Sequence, residues 1–361
     1  MKPKNKSKTQ ARSDPPSKLS YLTGEQIMDM EFPPPRYVIE GLLPTGVTFL
    51  GGDSKSGKSW LSLDICVHTG SGKDFWGFTV QQGTTLYLCL EDTYRRIQNR
   101  LHRITEDVDK RCCFAITAGT LNTDLCDQLR EFIAEHPDTI LIAIDTFQCI
   151  RDNDQDASYS DDYAAVRSLK KISDEFDIAI LLVHHTRKLG DKNPFNRLSG
   201  STGLMGASDT TFLLDKEERM TKTAKLHCTG RDIEERQLEL NFTSGCTWEL
   251  VHDSLENPEI LLPEEMQALV SFAQSIGSFE GGNTEFAEQF MSFSGVELTA
   301  KSLKQMMNTW RYKLEELGVR YKDERSNGKR ILKVFYSASD ASAVKDAENA
   351  GDESDASECN W

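Results

Sequence analysis

Between about residues 37 and 251 the chain alternates short apolar runs with longer mixed segments. The runs are Val47-Thr-Phe-Leu50, Thr85-Leu-Tyr-Leu-Cys-Leu90, Ile140-Leu-Ile-Ala-Ile144 and Ile178-Ala-Ile-Leu-Leu-Val183. A strand with one wet face alternates apolar and polar positions. These runs are apolar throughout, as strands are when helices cover both faces of a parallel sheet. The pattern predicts an α/β fold built on a mostly parallel sheet. Residues 209–215, 224–228 and 236–242 read as further strands joined by short turns, which would add an antiparallel edge.

Beyond a linker at 256–263 the period changes to that of helices, over 264–277, 284–293 and 300–317. In the third, Leu303, Met306, Met307, Trp310, Leu314 and Leu317 recur every three or four residues and define one apolar stripe. Gly318 ends it. The runs 319–323 and 330–336 then flank Ser326-Asn327-Gly328, and Asn-Gly between alternating runs is a strong hairpin signal. Three helices followed by a hairpin predict a small winged-helix (helix-turn-helix-like) domain over 264–336. The large α/β domain is assigned to 31–255, a disordered basic arm to 1–30 and an acidic disordered tail to 337–361.

Charge sharpens this division. The net charge is -15, yet residues 299–336 hold ten basic against four acidic side chains, a local balance of +6. Residues 1–20 carry Lys2, Lys4, Lys6, Lys8, Arg12 and Lys18, whereas the tail carries seven carboxylates against Lys345. On the third helix Lys301, Lys304, Gln305, Asn308 and Arg311 lie off the apolar stripe, where they could face a DNA major groove while cations of the hairpin touch phosphates. A protein-contact module is the other use of such a domain. No apolar run reaches the ~18 residues that a membrane span needs, and the first residues lack the apolar stretch of a secretory signal, so a cytoplasmic location is expected. The nine cysteines form no CxxC pair and read as buried reduced thiols.

The chemistry is concentrated at Gly52-Asp53-Ser54-Lys55-Ser56-Gly57-Lys58-Ser59, followed by Trp60. This matches G-x-x-x-x-G-K-[ST], with an apolar strand before it and a helix, about 60–68, after it. Glycines let backbone N–H groups turn inward around phosphates, and the helix N-terminus adds its positive end. Lys58 would reach the β- and γ-phosphates of ATP, and the Ser59 hydroxyl would ligate Mg²⁺. A carboxylate at a neighbouring strand tip is needed for the ion, and Asp145 closes the run 140–144. Glu91 closes the run that begins at Thr85 and is the candidate base or orienting group for the attacking water, with Asp92 its rival. His184 and His185 end the run 178–183, where one of them could sense the nucleotide's γ-phosphate or simply be a satisfied strand-end histidine.

These motifs, together with Pro33-Pro-Pro-Arg-Tyr-Val-Ile-Glu-Gly-Leu-Leu-Pro44, Tyr87-Leu-Cys-Leu-Glu-Asp92, His184-His-Thr-Arg-Lys188 and Gly200-Ser-Thr-Gly203, resemble RepA-type plasmid replication helicases and the wider AAA-like ATPases of mobile elements, built on a RecA-like core. The resemblance spans about residues 30–250 and makes 31–255 the ATPase domain. It implies Glu91 as catalytic glutamate, Asp145 as the Mg²⁺-directing carboxylate and His184 or His185 as sensor. Arg231 would be an arginine inserted into a neighbouring subunit's site, and the assembly a homo-oligomeric ring, by analogy a hexamer. Residues 188–199, with Lys188, Lys192 and Arg197, would contact single-stranded DNA. The function so implied is an ATP-hydrolysing DNA motor. The alternative is an ATP-switched DNA-binding regulator or recombination accessory protein.

Overall fold

The computed structural model describes residues 21–31, 34–151, 159–185, 207–216, 218, 220–326 and 329–337. Residues 1–20, the loop 188–199, Gly200-Ser-Thr-Gly203 and the tail from 338 onward lie outside the described residues, and so do the readings placed on them.

The chain divides into two compact units, Met1–Pro35 and Arg36–Trp361. In the first, helix α1 (Gly24–Met28) starts at a capping box. Thr23 Oγ1 accepts from the Gln26 N–H, and Gln26 Oε1 accepts from the Thr23 N–H. The arm assigned to 1–30 therefore contains a short helix, in a stretch, 21–30, that carries no basic residue.

In the second unit, β1 (Tyr37–Ile39) and β2 (Leu43–Pro44) pair before β3 (Gly46–Gly52), which leads into α2 (Lys58–Ser71). Next come β4 (Thr84–Cys89), α3 (Tyr94–Ile104), β5 (Cys112–Ala115), α4 (Leu125–Glu135), β6 (Thr139–Asp145), α5 (Tyr159–Phe176) and β7 (Ala179–His185). β8 (Thr210–Asp215), β9 (Thr223–Gly230), β10 (Arg236–Phe242) and β11 (Trp248–Asp253) complete a nine-stranded sheet of order β11-β10-β9-β8-β3-β7-β6-β4-β5. The strands from β8 to β5 in that order are parallel, and β9, β10 and β11 add the antiparallel edge. The sheet is mainly parallel, as expected, with the strand that carries His184 and His185 between the P-loop strand and the strand that carries Asp145.

Alternation within β6 explains why the strands read as continuous apolar runs. Leu141 and Ala143 join the core under α2, while Ile142 and Ile144 join the core under α4 and α5. Each fully buried aliphatic side chain is worth about 1.5–3 kcal/mol, so both faces stabilise the sheet. β5 and β11 are not among the expected strands, the first being a short apolar run, Cys112-Cys-Phe-Ala-Ile116, and the second a run broken by Glu249 and His252. β5 is half-buried, and β11 includes exposed Glu249, Val251 and His252.

Residues beyond Pro258–Leu261, a 3₁₀ turn, have a hydrophobic core of their own that runs from Leu262 to Val334. It is built from α6 (Glu264–Ile276), β12 (Ser278–Gly281), α7 (Asn283–Ser294), α8 (Ala300–Thr309), α9 (Arg311–Glu316), β13 (Val319–Ser326) and β14 (Lys329–Tyr336). The helix expected over 300–317 is two helices, because Trp310 leaves helical geometry at φ -101, ψ 16. Leu303 and Met307 from the first piece and Leu314 and Leu317 from the second still share one core. β13 and β14 pair up to Ser326 opposite Lys329, and β12, which periodicity does not announce, pairs with β14 to make a three-stranded sheet.

The outward face expected of the third helix is largely occupied within the chain. Lys304 Nζ lies 2.8 Å from Asp323 and over the Tyr321 ring, Asn308 Oδ1 accepts from the Tyr321 hydroxyl at 2.8 Å, and Arg311 pairs with Glu315 at 2.9 Å. Lys304, Asn308 and Arg311 are thus held by the hairpin or by their own helix, while Lys301 and Gln305 are exposed. The cysteines are also less uniform than expected. Cys66, Cys89 and Cys228 are buried, but Cys149 is exposed, and all those described are free thiols. Among the described residues no helix is long and apolar enough to cross a membrane.

Candidate nucleotide-binding site

Parallel strands end their chains at one edge of a sheet, so the residues that follow β3, β4, β6 and β7 are brought together there. A cavity of about 430 Å³ opens at this edge, lined by Ser54 to Trp60, Glu91, Asp145, Thr146 and His185, and on its other side by Arg100, Lys216, Phe242 and Trp248. The loop from β3 to α2 needs glycine at two points. Gly52 has φ 153, and a Cβ there would meet the Leu214 carbonyl oxygen at 2.6 Å. Gly57 caps α2 at φ 104, and a Cβ there would meet the Trp248 indole at 2.9 Å.

Lys58 is 3% exposed and its ammonium folds back onto the loop, donating to the Gly52 and Asp53 carbonyls at 2.7 Å each and lying 3.2 Å from His185 Nδ1. Burial lowers its pKa to about 8, against the opposing pull of Asp145, Asp53 and Glu91. Burial first, and then Lys58, hold His185 below the usual histidine value, which keeps the ring neutral at neutral pH. The Ser56 hydroxyl is buried with no hydrogen-bond partner among the described residues and lines the cavity. A desolvated cation and an unsatisfied hydroxyl at a helix N-terminus are poorly served by this chain alone, and an anion with several acceptor oxygens would satisfy both.

The carboxylates are fixed by neighbours. Asp145 is buried and accepts from the Tyr87 hydroxyl at 2.7 Å, which also lies 3.4 Å from the Ser59 carbonyl. Glu91 is exposed in the cavity and accepts from Thr146 Oγ1 at 3.0 Å. Asp92 does not line the cavity, for it pairs with Arg100 at 2.6 Å and Arg96 at 3.6 Å. Of the two histidines, His185 lines the cavity, whereas His184 packs edge-on against Phe49 and Phe147.

Arg231 stands apart. Thr210 at the start of β8 pairs with Gly230, so the β9–β10 turn lies at the edge opposite the loop. The six steps of β3 from Gly46 to Gly52, at about 3.3 Å each, put roughly 20 Å of strand between the two edges. Arg231 is exposed and lies 3.6 Å from Asp209, not beside the Asp232 or Glu235 that follow it in sequence. It therefore cannot serve the cavity of its own subunit.

Sequence reasoning missed Tyr87, Thr146, Arg100, Lys216, Phe242 and Trp248 as parts of this site. Thr146 could have been suspected from its place after Asp145. Trp248 could not, because it comes from an unrecognised edge strand and reaches the loop through its indole N–H, which donates to the Gly57 carbonyl at 3.3 Å.

Residues 13–191 match the family model described as "AAA domain". No curated protein matches the chain. Among solved structures, one described as an "ATPase Domain" is 13% identical with a TM-score of 0.48, over 58% of this chain and 85% of that one. "The Structure Of A DnaB-Like Replicative Helicase And Its Interactions With Primase" is 14% identical with a TM-score of 0.47, over 58% of each chain. The chain is an α/β protein with a P-loop at the carboxyl edge of its sheet, and over residues 13–191 it is similar to the AAA-domain family.

Proposed function

We propose that the protein is a Mg²⁺-dependent ATPase that assembles into a ring, by analogy a hexamer, and uses hydrolysis to move along or unwind DNA in the replication of a plasmid, phage or integrated element. The observation that carries this reading is the convergence of Lys58, Ser59, Glu91, Asp145 and His185 on one cavity beside a glycine-shaped loop.

In this reading Lys58 leaves the Gly52 and Asp53 carbonyls for the β- and γ-phosphates, and the N–H groups of residues 53–59 cradle them. The Ser59 hydroxyl and Asp145 would hold Mg²⁺, directly and through water, and the ion would neutralise charge on the phosphates. The donor set fits: a hard cation takes oxygen ligands, and Tyr87 aims the Asp145 carboxylate from behind. Glu91, steered by Thr146, accepts the proton of the attacking water or orients it. Neutral His185, in contact with Lys58, would report whether the γ-phosphate is present. Arg231, remote from its own site and exposed, would complete the site of the next subunit, with Asp209 as its resting partner.

The segment 264–336 is proposed as a winged-helix domain for duplex DNA, its remaining reach lying with Lys301, Gln305 and the cations of β13 and β14. Residues 188–199 are proposed to track single strands. Unwinding of a forked duplex in the presence of ATP tests the motor. DNA-stimulated hydrolysis without strand separation, at every ring-forming concentration, would instead assign the chain to ATP-switched DNA-binding regulators.

A further inference from the structure

The residues that line the cavity of about 430 Å³ fall into two groups that differ in chemistry. Glu91, Asp145, Thr146 and His185 occupy one side. The other side is aromatic and cationic: Trp60, Phe242 and Trp248 with Arg100 and Lys216. Near this half, α3 approaches the β10–β11 turn, where Arg103 Nη1 lies 3.3 Å from Cys246 Sγ. We propose that this half is a nucleobase subsite that takes purines and does not select adenine over guanine. The proposal rests on reading the P-loop as a triphosphate site.

Position supports it first. Trp60 stands two residues past Lys58 on α2, so the aromatic half begins where the phosphate-binding turn ends. Trp60 and Phe242 are only half-buried, leaving ring surface open to the cavity, whereas Trp248 is buried and braces the loop. Arg100 lies over the Trp60 ring at 5.5 Å and is anchored by Asp92 at 2.6 Å. Lys216 lies over Trp248 at 5.6 Å. These contacts fix the two tryptophan rings, and Phe242 tilts against Trp248 at 4.8 Å, so the uncovered parts of Trp60 and Phe242 offer surface for a base, a purine more than a pyrimidine because stacking scales with ring overlap.

Hydrogen-bonding chemistry supplies the second part. Arginine, lysine and tryptophan side chains only donate, and phenylalanine does neither. Among the described residues that line this half, none therefore offers a side-chain acceptor. Adenine's amino group, like guanine's N1–H and 2-amino group, would meet no side-chain acceptor there, while guanine's O6 and N7 and adenine's N7 are all acceptors suited to Arg100 and Lys216. Side chains that discriminated adenine would have to include an acceptor for its amino group.

The test uses the full chain and compares Mg²⁺-bound ATP, GTP, CTP, UTP and inorganic tripolyphosphate by calorimetry. ATP and GTP should bind within about threefold of each other, and about tenfold more tightly than CTP, UTP or tripolyphosphate, as a stacked purine implies. Phe242→Leu and, separately, Trp60→Leu should weaken both purine nucleotides about fivefold or more and leave tripolyphosphate unchanged. Having two variants guards against one misfolding, and far-ultraviolet circular dichroism identifies which is intact. Purines no tighter than pyrimidines, GTP tens of times weaker than ATP, or equal losses for tripolyphosphate in both variants would each overturn the subsite. Lys58→Ala separates the two levels. If tripolyphosphate binding survives it, the P-loop reading itself fails. If that binding is lost while the purine preference is absent, only the subsite fails.

Discussion

The carboxyl edge of the large sheet and the helical segment that follows Leu262 are both rich in charge, but they treat it differently. At the sheet edge, Lys58 is desolvated, shifted down to about 8 and bonded to backbone carbonyls and a neutral histidine, with no carboxylate among the described residues within ion-pair distance, beside an unpartnered Ser56 hydroxyl. In the later segment, Lys304, Arg311, Lys313 and Lys333 each lie within ion-pair distance of a carboxylate. Desolvating a charge without a carboxylate partner costs free energy that a fold keeps only where something else supplies the return. Exposed pairs cost and contribute little. A local balance of +6 is thus weaker evidence of a binding surface than one buried lysine is of a site.

The largest expected effects come from breaking the sheet edge. Lys58→Ala should abolish hydrolysis and weaken nucleotide binding, because it removes the buried cation itself. Glu91→Gln should keep ATP binding and lower turnover by about 10²-fold or more, the range of a lost general base. Steady-state phosphate release with parallel calorimetry distinguishes the two, and parental turnover in Glu91→Gln would transfer the role elsewhere. Under the proposed action across a subunit boundary, Arg231→Ala should lower turnover of the assembled protein by about 10³-fold or more while sparing nucleotide affinity. Mixing Arg231→Ala with Lys58→Ala subunits should recover activity at interfaces that pair an intact P-loop with an intact Arg231. Verified co-assembly without recovery would count against action in trans.

A smaller effect follows from the depressed Lys58. Near pH 8 the ligand-free ammonium is about half deprotonated, and phosphate binding favours the charged form. Binding should therefore take up a proton, and affinity should fall toward about tenfold per pH unit above 8. The sign for folding is opposite. Between about 8 and the unperturbed 10.5 the unfolded chain holds more protons at this lysine than the folded one, so the group adds stability to the ligand-free protein as pH rises through that window. Calorimetry at pH 8.5 in two buffers of different ionisation heat measures the uptake directly. Its absence would mean that Lys58 is fully charged before nucleotide arrives.

How much of this was legible in the sequence follows from the range of the interactions. Lys58, Asp145, Glu91 and their strands could be read because each motif carries its own context: an apolar run, then a polar residue at its tip. Choosing between His184 and His185 required β7's register, which sets Gly52 beside His185. Tyr87 could be placed in a strand but not beneath Asp145, since that contact spans 58 residues. Trp248 reaches Gly57 across 191 residues from a strand with no apolar run. The third helix misled for a related reason. Periodicity named its outward face correctly but said nothing of β13, whose Tyr321 and Asp323 take up Lys304 and Asn308.

The weakest expected effect probes that last contact. Asp323→Ala removes the carboxylate 2.8 Å from Lys304 while Tyr321 still holds the ammonium 4.0 Å from its ring centroid. The carboxylate is exposed but the Lys304 ammonium is buried, so leaving it without this partner should lower stability by about 1–3 kcal/mol, measured by urea denaturation. If the segment binds duplex DNA, removing a negative charge from its basic surface should tighten binding by about two- to fivefold at low salt and less as salt rises, because screening shortens the reach of the removed charge. Lys304→Ala should weaken binding about equally across duplex sequences, since a charge acting on phosphates does not read bases. Both variants are compared with the parent over a salt series. If neither changes duplex affinity at any salt concentration while the stability change appears as expected, Lys304 is a structural cation of the hairpin. Any DNA contact of the segment must then come from Lys301, Gln305 and the outer strand residues.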